Sequence, residues 1–178
     1  SQFGDKSIYI EKNEGTIYVG EYVANTSHAF EDGSFDLHKY SPSIQPPLKR
    51  LEVNSILDWI EEDTPVGKSN HLALVYGRAG IGKSVVMHDL LESLNNKENY
   101  LVLGLKSDQI EFVNTDDLAK QMHLAKPIVT VIKEMSQSVR RVVLLIDQID
   151  ALSLSLSSNR TPLRSILKLI DQVRNIEH

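Results

Sequence analysis

The chain has no cysteine among its 178 residues, which excludes disulfides and zinc–thiolate centres and suits a reducing compartment such as the cytoplasm. It has no excess of positive charge. Its 19 Lys and Arg against 24 Asp and Glu give a formal net charge of −5, so no global field draws it to nucleic acid or an anionic membrane. A basic stripe with interleaved aromatics is also missing. Long apolar runs are absent too, and Val142–Ile146 is far too short to span a bilayer. No signal-peptide pattern opens the chain. His28, His38, His71, His88, His123 and His178 never fall at metal-ligand spacing. The remainder, 41% hydrophobic and 24% charged, suits one ordinary globular domain with a short appendage.

Against that plain background one segment carries chemistry. Residues 77–84 read Gly-Arg-Ala-Gly-Ile-Gly-Lys-Ser, a complete match to the phosphate-binding pattern G-x-x-x-x-G-K-[ST]. The apolar run Leu72–Tyr76 leads in as an expected strand, and Ser84–Leu94 leads out with helical periodicity. Glycines at 77, 80 and 82 let successive backbone N–H groups face an anion, and the helix N-terminus adds its positive dipole end. The expected nucleotide contacts are Gly77, Arg78, Ala79, Gly80, Ile81, Gly82, Lys83, Ser84 and Val85. Lys83 reaches the β- and γ-phosphates and the Ser84 hydroxyl joins a Mg²⁺ shell. A nucleoside triphosphate, ATP with Mg²⁺, is the expected ligand. A guanine-reading motif is lacking: Asn96-Lys97-Glu98-Asn99 ends without the required Asp.

The pattern along the chain is an alternation of helices and buried strands. Residues 7–11 and 16–23, rich in β-branched and aromatic types about a Lys12–Gly15 turn, predict an N-terminal β-hairpin. Residues 26–50 read as a linker or ordered arm ending in Gln45-Pro46-Pro47. Helices are predicted over 51–63, 84–94, 115–123, 127–139 and 162–175, and buried strands over 100–105 and 142–146. The expected organisation is a β-rich arm (1–25), the linker (26–50) and a nucleotide-binding core (51–178) cut short at its C-terminus. The fold class is α/β, a P-loop NTPase with a mostly parallel sheet flanked by helices, plus the hairpin arm.

Val142–Ile146 ends in Asp147, placed to hold Mg²⁺ beside the phosphate loop. The next residue is Gln148, which hydrogen-bonds water but takes no proton. Asp150, three residues past Asp147, is the candidate to orient the attacking water. Lys83, Asp147 and Asp150 are thus the expected catalytic set, with Ser84 and Asp147 on the metal.

The phosphate loop together with Leu144-Leu145-Ile146-Asp147-Gln148-Ile149-Asp150-Ala151-Leu152 resembles the STAND class of signalling ATPases, its NACHT-like and related bacterial members above all. Those proteins share a D-x-x-D arrangement after an apolar strand, although Gln148 and Ala151 depart from the usual NACHT residues. The resemblance implies a slowly hydrolysing, ATP-dependent regulatory switch within a larger protein, with Ile44–Asn54 folded over the adenine. It also implies self-association or further domains as partners, and a setting in bacterial antiphage defence. The alternative is an oligomerisation or scaffold module that binds nucleotide without turnover.

Overall fold

Tyr100–Lys106 and Arg141–Asp147, both continuous apolar runs, form parallel strands β1 and β2, paired in register from Tyr100↔Arg141 to Lys106↔Asp147. The computed structural model describes residues 14–38, 50–62, 72–109, 114–149, 152 and 161–176. Around the sheet lie α1 (Glu14–Gly33), α2 (Phe35–His38), α3 (Leu51–Glu61), α4 (Lys83–Asn95), α5 (Thr115–Gln121), α6 (Ile128–Ser136) and α7 (Thr161–Arg174). This is the α/β arrangement of parallel strands with helices on both faces.

Alternation along β1 divides the core into two layers. Leu101, Leu103 and Leu105 pack with Phe30 of α1, Leu118 of α5, Ile128 through Met135 of α6 and Leu169 of α7. Val102 faces the other way, packing with Leu145 of β2, Val53 and Ile60 of α3, and Val86, Leu90, Leu91 and Leu94 of α4. Each fully buried side chain of this kind contributes about 1.5–3 kcal/mol of transfer free energy. Local signals set the helix starts. At α5, Asn114 Oδ1 accepts from the N–H groups of Asp116 and Asp117, while Asp117 answers with Oδ2 on the Asn114 N–H.

Two sequence expectations need correction. The second strand of the proposed hairpin, residues 16–23, lies inside α1, and its first strand (7–11) is outside the described residues. β-branched and aromatic types suggested a strand, but the burial beyond that window has helical period: Thr26, Phe30 and Ser34 are all at most 1% exposed. Residues 26–38 are correspondingly core rather than linker. The Ser34 hydroxyl donates to Phe30 O (2.7 Å) and accepts from the Gly104 N–H (2.8 Å), which caps a β1 amide pointing away from β2. Gly104 is needed for this closeness, since a Cβ there would lie 2.7 Å from Leu37 Cδ2.

The second correction concerns Leu72–Tyr76. No strand forms there; residues 72–78 are irregular, with Leu74 77% and Tyr76 85% exposed. A strand is defined by a hydrogen-bonded neighbour, and apolar composition alone does not supply one. The expectation that β2 lies beside this segment therefore fails: the described ladder partner of β2 is β1.

Candidate nucleotide site

The phosphate loop is shaped by two left-handed glycines. Gly80 sits at φ +81° and Gly82 at φ +93°, a conformation that any Cβ strains. Gly82 is also the N-cap of α4, a start with no side-chain cap and no acidic residue in its first turn. The helix thus leaves its positive end and free N–H groups uncompensated, which is the electrostatics an anion requires. Lys83 folds back over the loop, its ammonium donating to Gly77 O (3.0 Å) and Arg78 O (3.3 Å). Two of three ammonium donors are engaged there, so the third remains for a ligand oxygen.

A second cation stands at the loop. Arg50, just before α3, donates from Nη1 to Ile81 O (3.3 Å), and a Cβ on Gly82 would lie 2.7 Å from its Nη2. Sequence reading did not single out Arg50, whose partner is 31 residues away. Of the Ile44–Asn54 segment expected over the adenine, residues 44–49 lie outside the described residues.

Topology brings the loop to the carboxyl end of the sheet. α4 hands over to β1 through Asn96–Asn99 alone, so it runs antiparallel to the strand it packs on. A helix of 13 residues spans about 20 Å and a strand of seven about 23 Å, which returns Lys83 to the end where Lys106 and Asp147 terminate. α3 is oriented likewise. Its last turn is held at the opposite end, where Arg141 Nε donates to Ile60 O (3.2 Å) and Lys97 pairs with Glu61. That leaves Arg50 at the loop.

Asp147 closes β2 at 5% exposure. Its Oδ1 accepts the Gln148 N–H (2.9 Å), whereas Oδ2 is buried without a partner. A buried carboxylate oxygen without a donor is costly, and a divalent cation or one of its waters is the natural complement. Asp147 therefore fits a Mg²⁺ role, and Ser84, half-buried in the first turn of α4, is the companion ligand. When bound, such a metal would neutralise charge on the phosphates. The Ser107 hydroxyl at the end of β1 is also buried without a partner, and its N–H donates to Asp147 O (3.0 Å). Neither Ser107 nor its neighbour Asp108 was read from the sequence. The available signal was their place just past a buried parallel strand, where ligands of such sheets gather. Asp150 lies outside the described residues.

Comparison with known families agrees with this geometry. The profile of the ATPase family associated with various cellular activities (AAA) matches residues 73–178, more than half of the chain. The chain belongs to the AAA family. Searches of curated proteins and of solved structures gave no match. As an AAA domain the chain is a nucleotide-binding P-loop NTPase, and its α/β fold is the one expected. The match is to the family at large and does not reach the STAND subclass. Among the described residues no helix is long and apolar enough to cross a membrane.

Proposed function

We propose that this AAA domain is an ATP-dependent regulatory switch that binds Mg²⁺·ATP and hydrolyses its β–γ bond slowly. The observation that carries this reading is the joining of two half-sites at one sheet end. One is the left-handed glycine loop with Lys83 folded across it; the other is buried Asp147 with an oxygen awaiting a partner. Gly77 through Val85 cradle the phosphates, Lys83 offsets charge developing on them, and Ser84 with Asp147 holds the metal. Asp150 takes the proton of the attacking water. The D-x-x-D spacing of Asp147 and Asp150 supports the STAND-type reading, with signalling in a larger assembly and antiphage defence as its setting.

A second use of the same domain is favoured by one observation. Leu72, Leu74, Tyr76 and Ile81 form an exposed apolar strip beside the loop, which suits nucleotide-dependent self-association. Calorimetric titration with Mg²⁺·ATP and Mg²⁺·GTP, followed by phosphate release over hours, tests the reading. The expected result is micromolar or tighter ATP binding, weaker GTP binding and slow turnover. Absence of ATP binding would remove the proposal. Binding with ATP-dependent association and no phosphate release would favour the scaffold role.

A further inference from the structure

Beyond the ends of the two strands lies a polar constellation that the nucleotide loop does not account for. Gln148, directly after Asp147, holds φ +59°, a left-handed conformation that is uncommon outside glycine. Its backbone N–H is tied to Asp147 Oδ1 (2.9 Å). Its carboxamide faces Asp108, which lies just past β1. With the amide nitrogen turned to the carboxylate, Nε2 lies 2.6 Å from both Oδ1 and Oδ2. Only this orientation is chemically sound, because an ionised carboxylate accepts and cannot donate. The consequence follows from the planarity of the amide. Asp108 claims the nitrogen, so the carboxamide oxygen is left as the group Gln148 offers to a ligand. Two buried atoms at the same sheet end, Ser107 Oγ and Asp147 Oδ2, have no protein partner. Ser107 is 1% and Asp147 5% exposed, so the polar demand there is built into the core and is not a solvated surface feature.

We propose that Gln148 is a catalytic residue whose carboxamide oxygen orients the attacking water, and that Asp108 is the positioning residue that fixes the amide for that task. This rests on the hydrolytic reading above and deepens it. In the step, the Gln148 oxygen accepts a hydrogen bond from the water, turning a lone pair of the water oxygen towards the γ-phosphorus. The water oxygen–phosphorus bond forms as the bond from phosphorus to the β–γ bridging oxygen breaks. The bond's electron pair stays on the ADP oxygen, and the proton of the water passes to Asp150. Gln148 itself gains no proton, which is why a carboxamide suffices at this position. Without Asp108 the amide can rotate and present its N–H₂ to the water, aiming a donor at the lone pair that must attack.

The test combines turnover with readouts that a merely structural tie would not move. Asp108→Ala should lower kcat roughly 10–100-fold, as loss of an orienting partner usually does, with calorimetric affinity for ADP unchanged. Asp108→Asn, which keeps an acceptor for the amide, should recover most of the loss. The double variant Asp108→Ala/Gln148→Ala should be no slower than Gln148→Ala, because the two residues act as one unit. In the nucleotide-free protein the Gln148 side-chain amide protons should exchange slowly by NMR, and rapidly in Asp108→Ala. Additive losses in the double variant, or lost affinity with kcat retained, would overturn the assignment. So would a wild-type protein that binds ATP without any turnover, a result that leaves the nucleotide switch standing. Wild-type protein that binds no ATP would instead remove the hydrolytic reading, and this inference with it.

Discussion

Lys83 and Gly82 show how much a single position can carry. The Lys83 ammonium already spans the loop through two carbonyls, so Lys83→Ala removes both the tie and the phosphate contact. Loss of a charge-assisted hydrogen bond worth about 1.5–3 kcal/mol predicts ATP affinity falling roughly 10–100-fold by calorimetry. Affinity equal to wild type would contradict the loop assignment. Gly82→Ala acts by strain. Its φ of +93° penalises a Cβ by about 1–3 kcal/mol, and that Cβ meets the Arg50 guanidinium as well. Weakened ATP binding with a lowered Tm is expected, and a neutral effect would mean the loop relaxes freely. Lys83 and all three loop glycines were legible in the sequence because their spacing is local. Arg50, Ser107 and Asp108 were not, since each meets the site only through the packing of separate elements.

At the scale of elements, the sequence read well wherever an amphipathic or apolar period stood between clear breaks. α3 through α7 and both strands fall within a few residues of the expected spans. The misreadings share one cause, which is that strand identity is not a local property. Residues 16–23 have β-type composition, yet the helix is selected by the seating of Thr26, Phe30 and Ser34 against β1. Leu72–Tyr76 has the right residues but no described ladder partner. Because α1 is core, Phe30→Ala should destabilise the whole domain by about 3–5 kcal/mol, measured by denaturant unfolding. A peripheral arm would instead leave the midpoint unmoved. Deleting the N-terminal residues is accordingly a folding experiment and not a probe of assembly.

Across the whole molecule, α1 is fastened to α6 by a titrating clamp. Lys126 donates to both Glu134 oxygens (2.7 and 2.9 Å) and lies 5.2 Å from the Tyr22 ring centroid. The Lys126 hydrogen bond holds the Glu134 carboxyl below its usual range. Burial, joined by the nearby Glu134 carboxylate, pushes Tyr22 up to about 12, although its hydroxyl forms no well-aligned hydrogen bond. The signs are opposite. Glu134 favours folding above its unfolded value, and that contribution is lost as pH falls through the lower folded value. Tyr22 contributes fully below its unfolded value of 10.0, and the contribution is lost as pH rises through about 12. Thermal unfolding across pH should therefore show stability lost at both limits. Lys126→Ala should flatten the acid limb while leaving the alkaline one; an unchanged acid limb would place that transition elsewhere.

The sequence by itself determined the phosphate loop, the aspartate that ends a buried strand, most helices and the α/β class, because these depend on spacing, periodicity and backbone permissiveness within a few residues. Only the tertiary structure decided that residues 14–38 are core and that Leu72–Tyr76 stays unpaired. It alone brought Arg50 to the loop and joined Asp108 to Gln148 across two strand ends. Those outcomes depend on which surfaces find a partner, and packing between distant segments is a property no local pattern encodes.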